Sequence, residues 1–240
     1  MTIIFDPKKH TYQNTVTKDY YISVTTFLSK YKKPFDKDHW SKVTAKRNGV
    51  TQEFVLNTWA DITNTSLTKG TNYHLVMENF IKDNVKPFEF TTLIDSFTEK
   101  MGPILGDKST VESEKLLFDH DARLAGTADL IINNKKSFYV VDFKTNKNFN
   151  FTNKYNEFLL SPVDYLPQCE FSTYGLQLSM YAYMTETLYN KPCAGLKIFY
   201  LNKKNEIETW TEINIPYMRS TILDLIKDRK HQLEKNNNIN

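Results

Sequence analysis

The segment Val140-Val141-Asp142-Phe143-Lys144 constrains this chain more than any other. It reads as a β-strand, and side chains alternate along a strand, so Asp142 and Lys144 share one face while Val141 and Phe143 take the other. An Asp and a Lys two apart in an apolar strand are costly unless both have work at the exposed end of a sheet. In the run before it, Gly126-Thr127-Ala128-Asp129-Leu130-Ile131-Ile132, Asp129 is the only acid. A turn over 133–136 lets the two strands pair and brings Asp129 towards Asp142. Two carboxylates so placed repel; a divalent cation removes the repulsion and gains hard oxygen ligands. Taken singly, each of these residues reads as a surface ion pair or a strand-end charge. The combination is what singles them out.

Around this pair the chain changes character once. Alternating stretches over 2–5, 11–13 and 20–22 predict a small β-meander. Ser23 caps a helix over 24–31, and helical patterns follow over 37–48 (stopped by Gly49), 52–64, 70–83 and 91–104. Three β-rich segments then run over 111–118, 124–132 and 138–145, joined by turns over 119–123 and 133–136 as an antiparallel meander. A polar and aromatic connection over 146–170 leads to a helix over 172–189. A strand over 196–201 pairs with one over 207–213, Pro216 opens a terminal helix to about Leu233, and 236–240 reads as a frayed tail. No internal repeat and no linker separates independent domains.

Composition bounds the function only loosely. With 240 residues, 40% hydrophobic, 16 Phe and 14 Tyr, the chain has ample material for one α/β domain with additions. Its 31 basic and 28 acidic residues leave a net charge of +3, too small to point to nucleic acid and no argument against a local basic groove. Two cysteines, Cys169 and Cys193, are too few for a disulfide framework, a four-cysteine iron–sulfur cluster or a Cys-rich zinc site. With no apolar leader in the first nine residues and no membrane-length window, a reducing, cytoplasmic setting without a membrane partner is the expectation. Abundant Asn, Lys, Ile, Tyr and Phe beside only 7 Gly fit an AT-rich genome. The run Gly102-Pro103-Ile104-Leu105-Gly106-Asp107-Lys108-Ser109 mimics a phosphate loop, but Asp107 stands where Gly is required and the run precedes a strand. No ATP is expected.

Two helices carry further polar pairs. Gln177 and Tyr181 lie four apart on one face of the helix over 172–189, while Leu176, Met180 and Tyr183 serve the core. His74 and Glu78 are four apart on the helix over 70–83, where a lone His is ordinarily a satisfied packing residue. In order, the chain therefore shows Gly70-Thr71 with His74 and Glu78, then Gly126 with Asp129, Asp142 with Lys144, and Gln177 with Tyr181. This succession resembles the PD-(D/E)XK superfamily, and within it the RecB-like exonucleases of phage type. Trp59 and the opening Tyr21-Ile22-Ser23-Val24-Thr25-Thr26 are similar to phage members. The resemblance spans about residues 20–202, and the four motifs in order are far more specific than any one of them.

The resemblance implies an α/β restriction-endonuclease-like core, a mixed central sheet flanked by helices, with a helical N-terminal region. Residues 1–107 would form the meander and the helical region that contributes His74, and 108–240 the nuclease core, in one integrated domain. It further implies that His74, Asp129, Asp142 and the backbone carbonyl of Phe143 bind Mg²⁺ or Mn²⁺. Lys144 would activate water, and Gln177 and Tyr181 would support Lys144 and contact the nucleic-acid backbone. Glu114 aligns with an acidic position on the first core strand, with neighbouring Glu112 as its rival. Trp40, Lys42, Lys46, Arg47 and Trp59 would stack bases and hold phosphates. The expected activity is a metal-dependent DNA exonuclease acting on single strands or ends in phage-type replication, recombination or repair, with a replication or recombination protein as partner. An endonuclease of the same superfamily and a non-cleaving DNA-binding module are the rival readings.

Overall fold

The structure, a computed structural model, describes residues 3–6, 11–106 and 108–237. Met1 and Thr2, Asp107 of the phosphate-loop-like run and 238–240 of the expected tail lie outside the described residues. The N-terminal meander comprises β1 (Ile3–Asp6), β2 (Thr11–Asn14) and β3 (Tyr20–Ser23). Ser23 then accepts the Thr26 N–H and caps α1 (Val24–Ser29). Asp36 caps α2 (Lys37–Asn48), which stops at Gly49 with φ +66°, a left-handed turn that a side chain would strain.

One helix departs from expectation. The patterns over 52–64 and 70–83 are a single α3 (Gln52–Asp83) of 32 residues, about 48 Å long at 1.5 Å per residue. In its polar middle the threonine hydroxyls find acceptors within the helix: Thr63 donates to Trp59 O, Thr68 to Asn64 O and Thr71 to Leu67 O. The next helix is shorter than expected. α4 (Thr91–Met101) gives way to a 3₁₀ turn at Gly102–Ile104.

The rest follows the expected order: β4 (Thr110–Asp119), β5 (Leu124–Asn133), β6 (Phe138–Lys144), α5 (Glu170–Tyr189), β7 (Cys193–Lys204), β8 (Ile207–Ile215) and α6 (Arg219–Asn237). The last helix begins after Pro216, at Arg219. Strands join in the order β1-β2-β3-β5-β6-β7-β8, with β4 on the remaining edge of β5. β3 pairs with β5, and β6 with β7, in parallel; the other pairings are antiparallel. This is a mixed sheet flanked by helices, the restriction-endonuclease-like architecture. Among the described residues, no helix is long and apolar enough to cross a membrane.

The sheet's two faces are covered differently. Phe27, Leu176, Met180, Ile222 and Leu225 of α1, α5 and α6 pack on Ile131, Val140 and Ile198. On the other face, Tyr73 and Met77 of α3 and Leu93, Ile94 and Phe97 of α4 meet Val141, Phe143, Phe199 and Trp210. Each such fully buried apolar side chain contributes roughly 1.5–3 kcal/mol. Only the C-terminal third of α3 enters this core; Phe35 just before α2, Trp40 of α2, and Phe54 and Ile62 in the first part of α3 are exposed.

The feature that positions the site is a split edge. β5 pairs with β3 through Leu124 and Ala125 and with β6 from Leu130 onward, on the same side. Between them, residues 126–129 have no strand neighbour on that side, and α5 packs Tyr181 there. A Cβ on Gly126 would lie 2.7 Å from Tyr181 Cε1. Gly126→Ala is therefore expected to destabilise the protein by roughly 1–3 kcal/mol, the usual range for overpacking a core. Urea unfolding measures this; an unchanged midpoint would mean that Tyr181 moves aside freely.

Candidate active site

The pairing of β4, β5 and β6 sets three carboxylates in one row. Ser113 faces Leu130 and Lys115 faces Ala128, so Glu114 stands opposite Asp129; Leu130 faces Val141, so Asp129 stands opposite Asp142. The regular ladder is broken at both crossings. Glu114 takes φ +50°, a left-handed conformation costly for a residue with a Cβ. Asp129 Oδ2 accepts the Phe143 N–H at 2.8 Å.

α3 closes the row from above. His74 Nδ1 lies 3.3 Å from Asp129 Oδ2, and its ring stands edge-on to Phe143. One donor atom each from His74, Glu114 and Asp129 lies within 4.8 Å of the others. This mixed set of one imidazole and two carboxylates fits a divalent cation. Asp142 lies one strand further on, 2% exposed, against Lys144. The Lys144 ammonium is ion-paired with Asp142 Oδ2. Nζ also sits 4.8 Å above the centre of the Tyr174 ring, a cation–π contact that fixes it from the α5 side.

Crowding of like charges shows in the titration of these groups. Burial, then repulsion by Asp129 and Glu78, pushes the Glu114 carboxyl up to about 7, although its side chain reaches solvent. Burial also pushes Asp142 up to about 6; Asp129 adds to the rise and Lys144 opposes it. Asp129 goes the other way. Burial would raise it, but the hydrogen bond and charge of His74, with Lys144 and the Phe143 N–H, hold it below the usual range. Burial disfavours the charged forms of Lys144 and His74, yet the surrounding carboxylates raise both. Asp129 is thus held in its ionised form, while Glu114 and Asp142 on either side are pushed towards their neutral forms.

These groups open into a cleft of about 800 Å³. One wall is a helical stripe of α3 at spacings of four (Ile62, Ser66, Gly70 and His74); the other is the end of β6 with Tyr174. Gly70 allows the close approach, since a Cβ there would lie 3.2 Å from Thr145 Oγ1.

The structure brings His74, Glu114, Asp129, Asp142 and Lys144 to one end of the sheet and lines the cleft with Phe143. It decides between the two glutamates: Glu112 is engaged by Lys115 and Tyr189, whereas Glu114 faces the cleft. It changes the part of α5. Tyr181 is 4% exposed behind Gly126, closed to a passing strand. The contact from α5 to Lys144 comes from Tyr174, which sequence reasoning passed over. Its position three before Gln177 and seven before Tyr181, on the same helical face, was the available signal. Trp59 packs against Phe35 rather than in the cleft.

The repulsion gives a signed expectation. Without divalent ions at pH 8, Glu114→Gln should melt above the wild type, because one member of the crowded row loses its charge. With Mn²⁺ added, the order should reverse, because the variant has lost a ligand. Thermal melts with and without the ion test both halves, and a variant that melts below the wild type without metal would refute the repulsion.

No curated protein matches the chain. Among solved structures, the chain of "Crystal structure of SSO0001" is similar at 18% identity over 56% of this chain and 57% of its own, with a TM-score of 0.26. This chain therefore spans little more than half of that one, and the fold assignment does not rest on it. The PD-(D/E)XK nuclease superfamily matches residues 106–237, from just before β4 to the end of α6. That is more than half of the chain and holds the whole row of carboxylates with Lys144. The chain belongs to this superfamily, whose members are nucleases that generally use divalent metal ions.

Proposed function

We propose that the protein is a metal-dependent exodeoxyribonuclease of the RecB-like, phage type, hydrolysing phosphodiesters of single-stranded DNA or DNA ends. The observation that carries the reading is the convergence of His74, Glu114, Asp129, Asp142 and Lys144 at the mouth of one cleft. His74, Glu114 and Asp129 would hold the cation, with Asp142 and the Phe143 carbonyl beside them. Mg²⁺ or Mn²⁺, if held by these residues, would supply Lewis-acid charge for the scissile phosphate and ease the loss of a proton from water to solvent. Asp142 and the Tyr174 ring hold the Lys144 ammonium at the cleft. Lys144 orients the attacking water and offsets charge on the phosphate in the transition state. Water oxygen bonds to phosphorus as the bond to the leaving oxygen breaks in line; the superfamily resemblance implies 5′-phosphate and 3′-hydroxyl products.

Residues 1–107 and 108–240 act as one integrated domain in this reading, since β3 and His74 both come from the first part. Single strands are favoured because α2 and the start of α3, the helix whose later turns wall the cleft, carry exposed Trp40, Phe54, Lys42, Lys46 and Arg47. A reducing cytoplasm suits the free thiols Cys169 and Cys193, and a replication or recombination protein is the expected partner.

Lys144→Ala should lower kcat by roughly 10²-fold or more while DNA affinity changes little, because its task is confined to the transition state. Single-turnover kinetics beside binding measurements separate the two; an equal loss of both would make Lys144 a phosphate anchor. Matched linear and circular single strands with Mn²⁺ test the exonuclease reading. Linear DNA should be degraded while the circle persists, and equal rates would favour an endonuclease.

A further inference from the structure

A second cavity lies on the far side of Tyr174 from the metal-ligand cluster. It is small, about 140 Å³, the space of four or five waters, and lies where α1 crosses the start of α5. Leu28, Leu159 and Leu176 form its walls, with the Tyr174 ring as the partition from the cleft. Thr25, Thr173 and Gln177 place two hydroxyls and an amide on it, and Lys32 stands at the rim. The Thr173 hydroxyl donates to Cys169 O, which leaves its oxygen to accept, and the Gln177 amide carries both donors and an acceptor. The roof is fixed in place: Leu160 N–H donates to Tyr31 O at 2.7 Å, and Lys33 N–H to Gln168 Oε1 at 2.6 Å.

We propose that this cavity receives one nucleobase of the substrate strand next to the scissile phosphate, with Lys32 on the adjoining phosphate. This rests on the nuclease reading above and names a subsite for it. An apolar slot with a few hydrogen-bonding groups suits a flat heterocycle with a polar edge. A phosphate does not fit inside, because three leucines would strip its water while a single cation at the rim returned little charge. Occupancy is coupled to the site through one side chain, Tyr174, which lines both spaces and carries Lys144 on its ring. A base seated here would fix the neighbouring phosphate in the cleft.

The test uses a short labelled single strand with one abasic tetrahydrofuran residue moved position by position. Its affinity for the wild-type protein is read by fluorescence anisotropy without divalent ions. One position should weaken binding roughly tenfold and the others little, the scale of losing one seated base. Thr25→Trp, which fills the cavity from its mouth, should bind every strand as weakly as the wild type binds the sensitive one. Thr25→Ala, which leaves the cavity open, should keep the position dependence. A loss spread evenly over all positions, or a folded Thr25→Trp that still distinguishes the sensitive position, would overturn the proposal. If Thr25→Trp does not fold by circular dichroism, the scan on the wild type decides alone. Cleavage of the unmodified strand with Mn²⁺ is measured separately, so a failed nuclease reading with position-dependent binding is distinguishable from a failed subsite.

Discussion

Glu114, Asp129 and Asp142 stand on neighbouring strands, one opposite the next, and mutual repulsion in a partly buried place is the constraint around which the site is arranged. Adjacent strands lie about 4.8 Å apart, so the carboxylates cannot separate while the sheet holds. The protein meets this unevenly. His74, Lys144 and the Phe143 N–H gather on Asp129, which stays ionised, and its neighbours on either side are driven up in pKa. Protons or a shared divalent cation relieve what remains. In the proposed reading, the same crowding that costs stability in the free protein would give the cleft its affinity for metal.

The backbone around the row shows how that cost is carried. Glu114 adopts a left-handed conformation within β4 while the ladder on either side of it is kept. At Asp129 the regular ladder gives out, and its side chain takes the N–H that a strand partner would have used. Stability is supplied elsewhere, by two apolar layers on the sheet's faces. This division between a rigid packed sheet and a strained polar end is common where local geometry serves chemistry.

Much of this was legible along the chain, for local reasons. Ser23 and Gly49 marked helix ends because caps satisfy backbone groups within a few residues. Alternation along β6 put Asp142 and Lys144 together before any partner was known. The continuity of α3 was not legible, because the polar stretch over 65–69 read as a break between two helical patterns; in the structure Thr63, Thr68 and Thr71 turn their hydroxyls back to carbonyls four residues earlier, inside one helix. Nor could Glu114 be told from Glu112. Both lie at like positions of one strand, and a single φ angle with the placing of Lys115 and Tyr189 separates them.

What the sequence determined by itself was the periodic content: which segments are strands, which face of β6 bears charge, and the order of the motifs. Those properties depend on neighbours two to four residues apart. The tertiary structure alone decided that His74 meets Asp129 and Glu114, residues 40 to 55 positions away in the chain, within 4.8 Å. It also decided that Tyr174 rather than Gln177 holds Lys144, and that Tyr181 fills the gap at Gly126. These meetings depend on β3 and β6 sharing one edge of β5 and leaving residues 126–129 open between them. No local pattern encodes such an arrangement, because it arises from non-local strand pairing and from how two helices pack on opposite faces of one sheet.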